Sequence, residues 1–387
     1  MKVLINAVSA KLGGAATYVN NLASALPCAA NSGDEFVFVL PGPRQFASTT
    51  SQIRVISSDA ATGSYARRWW WDQVELRRIV ADEKPDVLFS SANFAMLRCP
   101  CPQVLLVRNP IYFSQHYLDH VLPQRGLALR AETIARRWLV AQSVAAADCL
   151  MLPSRAMLDD LARHVRLTRQ VLSVNPYGVP TSHVLKNERL PRAHGPLRIL
   201  WVSHYADHKN LGTLLRAATI LRNQGNTPFT LALTLDPAGG GQHTAMPAAD
   251  SALLHSLGDS VQLVGVASYE RVWQLYAEAD VFVFPSLTES FGHPLVEAMA
   301  SQLPILASDI PIHREICADA ALYFEPFDAP RLAVQLQHFA ASAAQRAHMA
   351  RLGRARVQSF LWEDHVKRLL ATLRDTAQRR QSNAIAA

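Results

Sequence analysis

A chain of 387 residues is long enough for two or three domains of ordinary size, each with its own core. Its composition, 49% hydrophobic and 18% charged with no low-complexity tract, excludes a disordered or fibrous protein, and no window approaches the ~18 uninterrupted apolar residues of a membrane-spanning helix. The net charge of +7 points to an anionic partner without selecting one: nucleic acid, an anionic membrane surface and a phosphorylated small molecule all stay open.

The amino terminus, "MKVLINAVSA", is too short and too polar for a signal peptide and reads as a first buried strand. "SAKLGGAATYVNNL" follows it. Gly13 and Gly14 permit close backbone approach, and a helix is expected from near Ala15. The segment lacks G-x-G-x-x-G, so a dinucleotide site is weakly supported and a plain tight turn is the alternative. "EFVFVL", "PDVLFS", "QVLLV" and "DCLMLPS" continue the series of buried strands. Between the first two, "SYARRWWWDQVELRRIVADEKPD" interleaves arginines with Trp69, Trp70 and Trp71. Two readings compete for it: a surface resting on an anionic membrane, or a helix with its Trp and Leu residues in the core and its arginines snorkelling outward. No recognised nucleic-acid module surrounds these tryptophans.

The polar stretch Ser182 to Pro196, "SHVLKNERLPRAHGP", interrupts the rhythm and reads as a linker. "LRILWVS", "FTLALTL", "SVQLVGV", "ADVFVFPS" and "PILAS" then repeat the strand theme. Unbroken apolar runs fit a sheet covered on both faces, and strand–helix alternation implies doubly wound parallel α/β units with right-handed crossovers. Past Phe360 a helical pattern, "WEDHVKRLLATLRDTAQRR", leads to a frayed tail. The expected division is a Rossmann-like domain over 1–185, a second over 195–360, and a carboxyl-terminal helix over 361–387 packing back on the first domain. The five cysteines show neither zinc-ribbon nor redox spacing; Cys99 and Cys101, flanking Pro100, read as shaping a strand entry, and a reduced, cytoplasmic compartment is expected.

In an open α/β sheet the chemistry belongs in loops at the carboxyl ends of strands, and two facing domains would make a cleft there. In "SLTESFGHPLVEAMA", Glu289 and Glu297 are separated by seven residues. The strand gives way to a loop, and a helix is expected with Pro294 at its first position, where a missing N–H costs nothing. The amides of Phe291, Gly292 and His293 would then face a ligand with the positive end of the helix behind them. Gly292 removes a side chain that would hold a ligand away, Glu289 stands at the mouth of the loop, and Glu297 faces back toward the same cavity. A helix cap by Thr288 or Ser290, with Glu297 on the surface, accounts for the segment equally well by itself. In "YADHKNL", Lys209 occupies a strand-to-helix loop with His204 and His208 nearby; it is either a counter-charge for a diphosphate or a solvated surface charge.

Jointly, "GGAATYV", "AADCLMLPS", "NPYGV", "YADHKNL", "TESFGHPLVEAMA" and "SDIPIHREI…AALYFEPFD" resemble the family 4 glycosyltransferases, retaining enzymes of the GT-B fold, and the resemblance covers nearly the whole chain. It implies two Rossmann-like domains across a cleft, the first on the acceptor side and the second binding a nucleoside diphosphate sugar. In that family the first glutamate of E-x(7)-E lies against the transferred sugar and the second holds the ribose, roles that fall on Glu289 and Glu297. Gly13, Gly14, His204, Lys209, Ser290, Phe291, Gly292, His293 and Pro294 complete the implied donor site. The chain departs from the family pattern twice. Many members have an arginine where His204 stands, and many have a histidine where "LLVRNPIYFSQH" offers Arg108; Arg108 is taken as the catalytic counterpart, with His116 as the alternative.

The resemblance implies transfer of a hexosyl or deoxyhexosyl group, with retention, from a GDP- or UDP-sugar to a glycan or lipid-linked acceptor in cell-surface polysaccharide or lipopolysaccharide synthesis. No D-x-D occurs, and a helix start with Lys209 is an adequate substitute, so no metal and no cofactor are expected. The protein is expected in the cytoplasm, with possible peripheral contact at the inner face of an anionic membrane, and without nucleic acid. Two alternatives are a nucleotide-sugar epimerase of the same fold and a catalytically silent sugar-nucleotide binder.

Overall fold

The computed structural model describes residues 1–10, 13–42, 51–58, 64–167, 170–236 and 246–386. The chain divides into two compact units: Met1–Ser114 with Arg125–Pro176 and Trp362–Ala387, and Gln115–Gln124 with Tyr177–Leu361.

The first unit is built on a parallel seven-stranded sheet: β1 (Lys2–Asn6), β2 (Glu35–Leu40), β3 (Ile53–Ser57), β4 (Val87–Ser90), β5 (Gln103–Leu106), β6 (Cys149–Leu152) and β7 (Val171–Val174), in the order β3-β2-β1-β4-β5-β6-β7. β1 is central, with Leu4 registered against Val37 on one side and Leu88 on the other. The second unit repeats the plan with β8 (Leu197–Trp201), β9 (Phe229–Leu233), β10 (Val261–Leu263), β11 (Val281–Phe284), β12 (Ile305–Ser308) and β13 (Ala321–Phe324), in the order β10-β9-β8-β11-β12-β13. Val3, Leu4, Val283 and Leu306 are buried, as sheets covered on both faces require. Three strands escape the apolar-run criterion: β3, β7 and β13. Each is the edge of its sheet and only partly buried; Arg54 and Ser173 interrupt the apolar runs of β3 and β7, whereas β13 (ALYF) is wholly apolar but only four residues long.

The tryptophan-rich segment forms two helices, Tyr65–Gln73 and Glu75–Glu83. Trp71 lies in the core and donates to Ser58 Oγ (3.1 Å), while Trp70 is half exposed. Arg68 does not snorkel. It is buried against Asp72 (2.8 Å), which also accepts from Asn6 at the end of β1. The helix Trp362–Ala386 packs within the first unit. Trp362 Nε1 donates to Asn21 O (3.0 Å), His365 Nε2 meets Tyr18 Oη (3.2 Å), and Val366, Leu369, Leu370 and Leu373 are buried.

Within the second unit the polar stretch after Tyr177 does not hang free. The Gln302 amide reaches the carbonyls of Leu185 (3.2 Å) and Asn187 (2.7 Å), and Arg189 donates to the Tyr276 carbonyl (2.8 Å). At Gly178 the backbone runs against Phe360 and Leu361, with the Val179 amide on the Phe360 carbonyl (3.0 Å).

Candidate functional site

β8 and β11 are neighbours, yet the strands following β8 build outward on one side and those following β11 on the other. The loops leaving their carboxyl ends therefore diverge to opposite faces and leave a crevice, the usual ligand position in a doubly wound sheet. Lys209 is in the first of these loops and Glu289 in the second.

The loop after β8 ends in one 3-10 turn, Asp207–Lys209, and Asn210 follows with φ of 50°, a left-handed conformation that Asn tolerates better than most residues. Its Nδ2 donates to the Pro285 carbonyl (3.1 Å), and its Oδ1 accepts from Thr213 Oγ1 (2.9 Å). The Leu287 amide donates to the His208 carbonyl (2.7 Å). These bonds hold the two loops side by side and bring Lys209 Nζ to 2.6 Å from Glu289 Oε1. Burial alone would raise the Glu289 carboxyl, but the Lys209 ammonium above all holds it below its ordinary value. Glu289 is thus an ionised, poorly hydrated carboxylate paired to one cation.

The helix expected after the loop runs His293–Ala300, so Pro294 occupies its second position rather than its first. Gly292 caps it with φ of 85°, a conformation that excludes most side chains, and an added Cβ would stand 3.0 Å from Leu295 Cδ1. This backbone demand explains the glycine without reference to a ligand. Phe291 is fully buried, packed edge-on against Tyr177 (5.4 Å) and Phe360 (5.7 Å), and is a structural anchor for the loop. The His293 ring stacks on Tyr177 at 5.0 Å, pinning the helix start, and Ser290 is partly buried beside Glu289 in sequence.

Glu297 points inward from this helix and accepts a hydrogen bond from Tyr276 Oη (3.0 Å). Burial pushes its carboxyl up to about 7, against the opposing effect of the Tyr276 hydroxyl. The surface-glutamate alternative is therefore set aside. Aromatic side chains extend from it, with Trp273 5.9 Å from Tyr276 and His183 4.5 Å from Trp273.

The other expected residues are distributed as follows. His204 is exposed. In the first unit, Gly13 opens the helix Gly13–Ala29, so the glycines form its first turn instead of a turn preceding Ala15, and open space surrounds the position of a Gly14 Cβ. Arg108 belongs to the first unit, where its guanidinium lies 5.9 Å from the Tyr18 ring centre and its amide is held by Asn93 (2.8 Å). His116 belongs to the second, stacked on His120, with burial and that neighbour lowering its pKa.

Sequence reasoning assigned no role to Tyr276, Asn210 or His313. His313 is fully buried, its Nδ1 near Ser308 O (2.9 Å) and its ring 5.2 Å from Phe284; burial takes its pKa down to about 4, so it is neutral. Its Nε2 and Ser286 Oγ are buried without a hydrogen-bond partner among the described residues. The signal for His313 was present, since it sits within "SDIPIHREI", but a lone apolar-flanked histidine reads as core. A small, half-open recess lined by Arg189, Arg192, Arg198, Asp280 and Arg346 lies instead at the amino ends of β8 and β11, where the guanidiniums bind Asp280 and backbone carbonyls. Among the described residues no group of three or more His, Cys, Asp or Glu could hold a metal ion.

Residues 185–356 match the family described as Glycosyl transferases group 1, and residues 12–183 match Glycosyltransferase Family 4, two ranges that together take in most of the chain. RfbU of Salmonella typhimurium strain LT2, an O-antigen chain mannosyltransferase, is 26% identical over 192 residues, covering 50% of this chain and 51% of that protein. The amylovoran biosynthesis glycosyltransferase AmsK of Erwinia amylovora is 34% identical over 122 residues, 30% of this chain and 28% of that one. The chain spans about half or less of the length of these curated relatives. Among solved structures, a sucrose-phosphate synthase from Thermosynechococcus elongatus aligns with a TM-score of 0.74 at 18% identity, covering 100% of both chains. WaaG, a glycosyltransferase involved in lipopolysaccharide biosynthesis, aligns at 0.69 and 15% identity, covering 96% of this chain and 99% of that one. At these identities the likeness establishes the fold alone, that of the GT-B glycosyltransferases.

Proposed function

The chain belongs to glycosyltransferase family 4, and from that membership we propose that it transfers a hexosyl or deoxyhexosyl group, with retention of configuration, from a nucleoside diphosphate sugar to a glycan or lipid-linked acceptor in cell-surface polysaccharide or lipopolysaccharide assembly. The observation that carries this reading is the largely buried Lys209–Glu289 pair at 2.6 Å beside the reversal of the second sheet. An ammonium and a carboxylate held there present two different recognition groups to one ligand: the first to a diphosphate, the second to sugar hydroxyls. Donor phosphate competes with Glu289 for Lys209, and the carboxylate so released accepts from the sugar. Glu297 takes the ribose hydroxyls, with Tyr276 orienting it.

Departure of the diphosphate concentrates negative charge on its terminal oxygens. In this proposal Lys209 and the amino end of the helix His293–Ala300 stabilise that charge, and transfer proceeds without a metal ion. Arg108 is retained as the first unit's candidate catalytic residue. A mannosyl donor is the first to test, ahead of rhamnosyl, glucosyl and galactosyl donors, because some relatives are named as mannosyltransferases.

Thermal shifts with GDP, UDP, ADP and their sugars identify the donor. With that donor, Glu289→Gln is expected to lower transfer by orders of magnitude while leaving donor affinity within a few-fold. Unchanged turnover would remove Glu289 from the reaction, and activity abolished by chelation and restored by manganese would remove the metal-free mechanism. Donor conversion without acceptor would identify the epimerase, and donor binding without turnover would identify the silent binder.

A further inference from the structure

The helix Leu127–Ala146 of the first unit is turned inside out relative to an ordinary surface helix. Its buried side carries Thr133, Val140, Ser143 and Val144, and the two valines join the core beneath β5 and β6. Its solvent side carries large apolar residues: Leu127 is 80% exposed, Ile134 56% and Trp138 60%. At about 100° per residue these three positions fall within roughly 40° of one another, and Ala131 and Ala145, also exposed, continue the same stripe. Arg130 and Arg137 lie together on one flank, while the helix's one acid, Glu132, is paired with Arg136 on the side away from the stripe. Three large apolar side chains aligned on one exposed face are uncommon on a chain that ends its contacts in water.

We infer that the outward face of the helix Leu127–Ala146 is the surface by which this protein lies on an anionic lipid bilayer, with Leu127, Ile134 and Trp138 entering the headgroup–acyl boundary and Arg130 and Arg137 meeting lipid phosphates. Charge complementarity selects this occupant: the helix carries arginines beside the stripe, its one acid is paired, and the whole chain has a net charge of +7. Trp138 suits an interface, since an indole has an apolar body and a polar N–H. No helix among the described residues is long and apolar enough to cross a membrane, so attachment of this kind is lateral. The inference deepens the proposed function by naming the surface that delivers the protein to a lipid-linked acceptor, and it also redirects the sequence-level candidate, since Trp71 of the tryptophan run is in the core.

Co-sedimentation of the full chain with vesicles tests it, without donor or acceptor present. Vesicles of mixed phosphatidylglycerol and phosphatidylcholine should bind the wild-type protein, and pure phosphatidylcholine vesicles should bind it far less. Ile134→Ser with Trp138→Ser should lower partitioning by about tenfold or more, because two apolar side chains no longer enter the interface. Arg130→Glu with Arg137→Glu should remove the preference for anionic vesicles, and binding of the wild type should weaken as salt shortens the ~8 Å screening length. Val266→Ser, an exposed apolar change in the second unit, should bind as the wild type does. Unaltered melting temperatures confirm that the variants are folded. The inference falls if the wild type ignores anionic vesicles, if the serine pair binds equally well, or if light scattering finds a dimer that the serine pair converts to monomer. Failure here with donor binding intact would leave the glycosyltransferase reading standing, and the reverse result would leave the surface standing.

Discussion

Glu297 holds a proton at a pH where an exposed glutamate does not. Its carboxyl sits at about 7 because it is buried, with one hydrogen bond from Tyr276 as partial compensation. Between about pH 4.5, its ordinary value, and about 7, the folded protein binds a proton that the unfolded chain has released. Stability therefore falls as pH rises through that window, and a Glu297→Gln variant should lose this part of the pH dependence in denaturant titrations. Donor binding should run the opposite way. An ionised carboxylate is the stronger acceptor for ribose hydroxyls, so affinity measured by calorimetry should improve as pH rises from 6 to 8 in the wild type and stay flat in the variant. Glu289 behaves differently at the same depth, because Lys209 lies 2.6 Å away and keeps it charged. The two acids were legible as a pair in the sequence. Their opposite protonation was not, since it depends on which loop each one faces.

At the scale of elements, the central strands announced themselves, while of the four edge strands only β10 did. β1, β4, β8 and β11 are short apolar runs because both their faces are covered, whereas β3 and β7 are partly exposed and carry Arg54 and Ser173 among their apolar residues. The helix carrying Glu297 was placed correctly but begins at His293, because Gly292 at φ of 85° ends the loop one residue earlier than Pro294 alone implies. Gly178, quoted in "NPYGV", gave no sign of its role. A Cβ there would stand 2.4 Å from Phe360 O and 2.6 Å from Leu361 C, backbone atoms that cannot step aside without breaking the Val179–Phe360 hydrogen bond. Gly178→Ala should destabilise the second unit by about 2 kcal/mol or more, measured by chemical denaturation. A wild-type midpoint would mean that the two segments separate easily.

At the scale of the molecule, the first unit is completed by the last part of the chain. The helix Trp362–Ala386 buries Trp362, Val366, Leu369, Leu370 and Leu373, and it ties Asp34 through Arg374 at 2.8 Å. Each such apolar side chain stabilises by about 1.5–3 kcal/mol, and their sum is comparable to the ~5–15 kcal/mol stability of a whole domain. A chain stopped after Leu361 should therefore lose the cooperative melting of the first unit in calorimetry while the second unit still melts; an unchanged profile would contradict this role for the helix. By itself the sequence determined the α/β class, the repeat of a parallel doubly wound plan, and the strand-to-helix loops that carry Lys209 and Glu289, because apolar periodicity and strand–loop–helix punctuation are local properties. Only the tertiary structure decided that Lys209 meets Glu289, that Arg68 is buried against Asp72, and that Leu127, Ile134 and Trp138 face outward. Those outcomes depend on which strands become neighbours and which helix face the sheet covers, and residues distant in sequence acquire such relations only when the chain is folded.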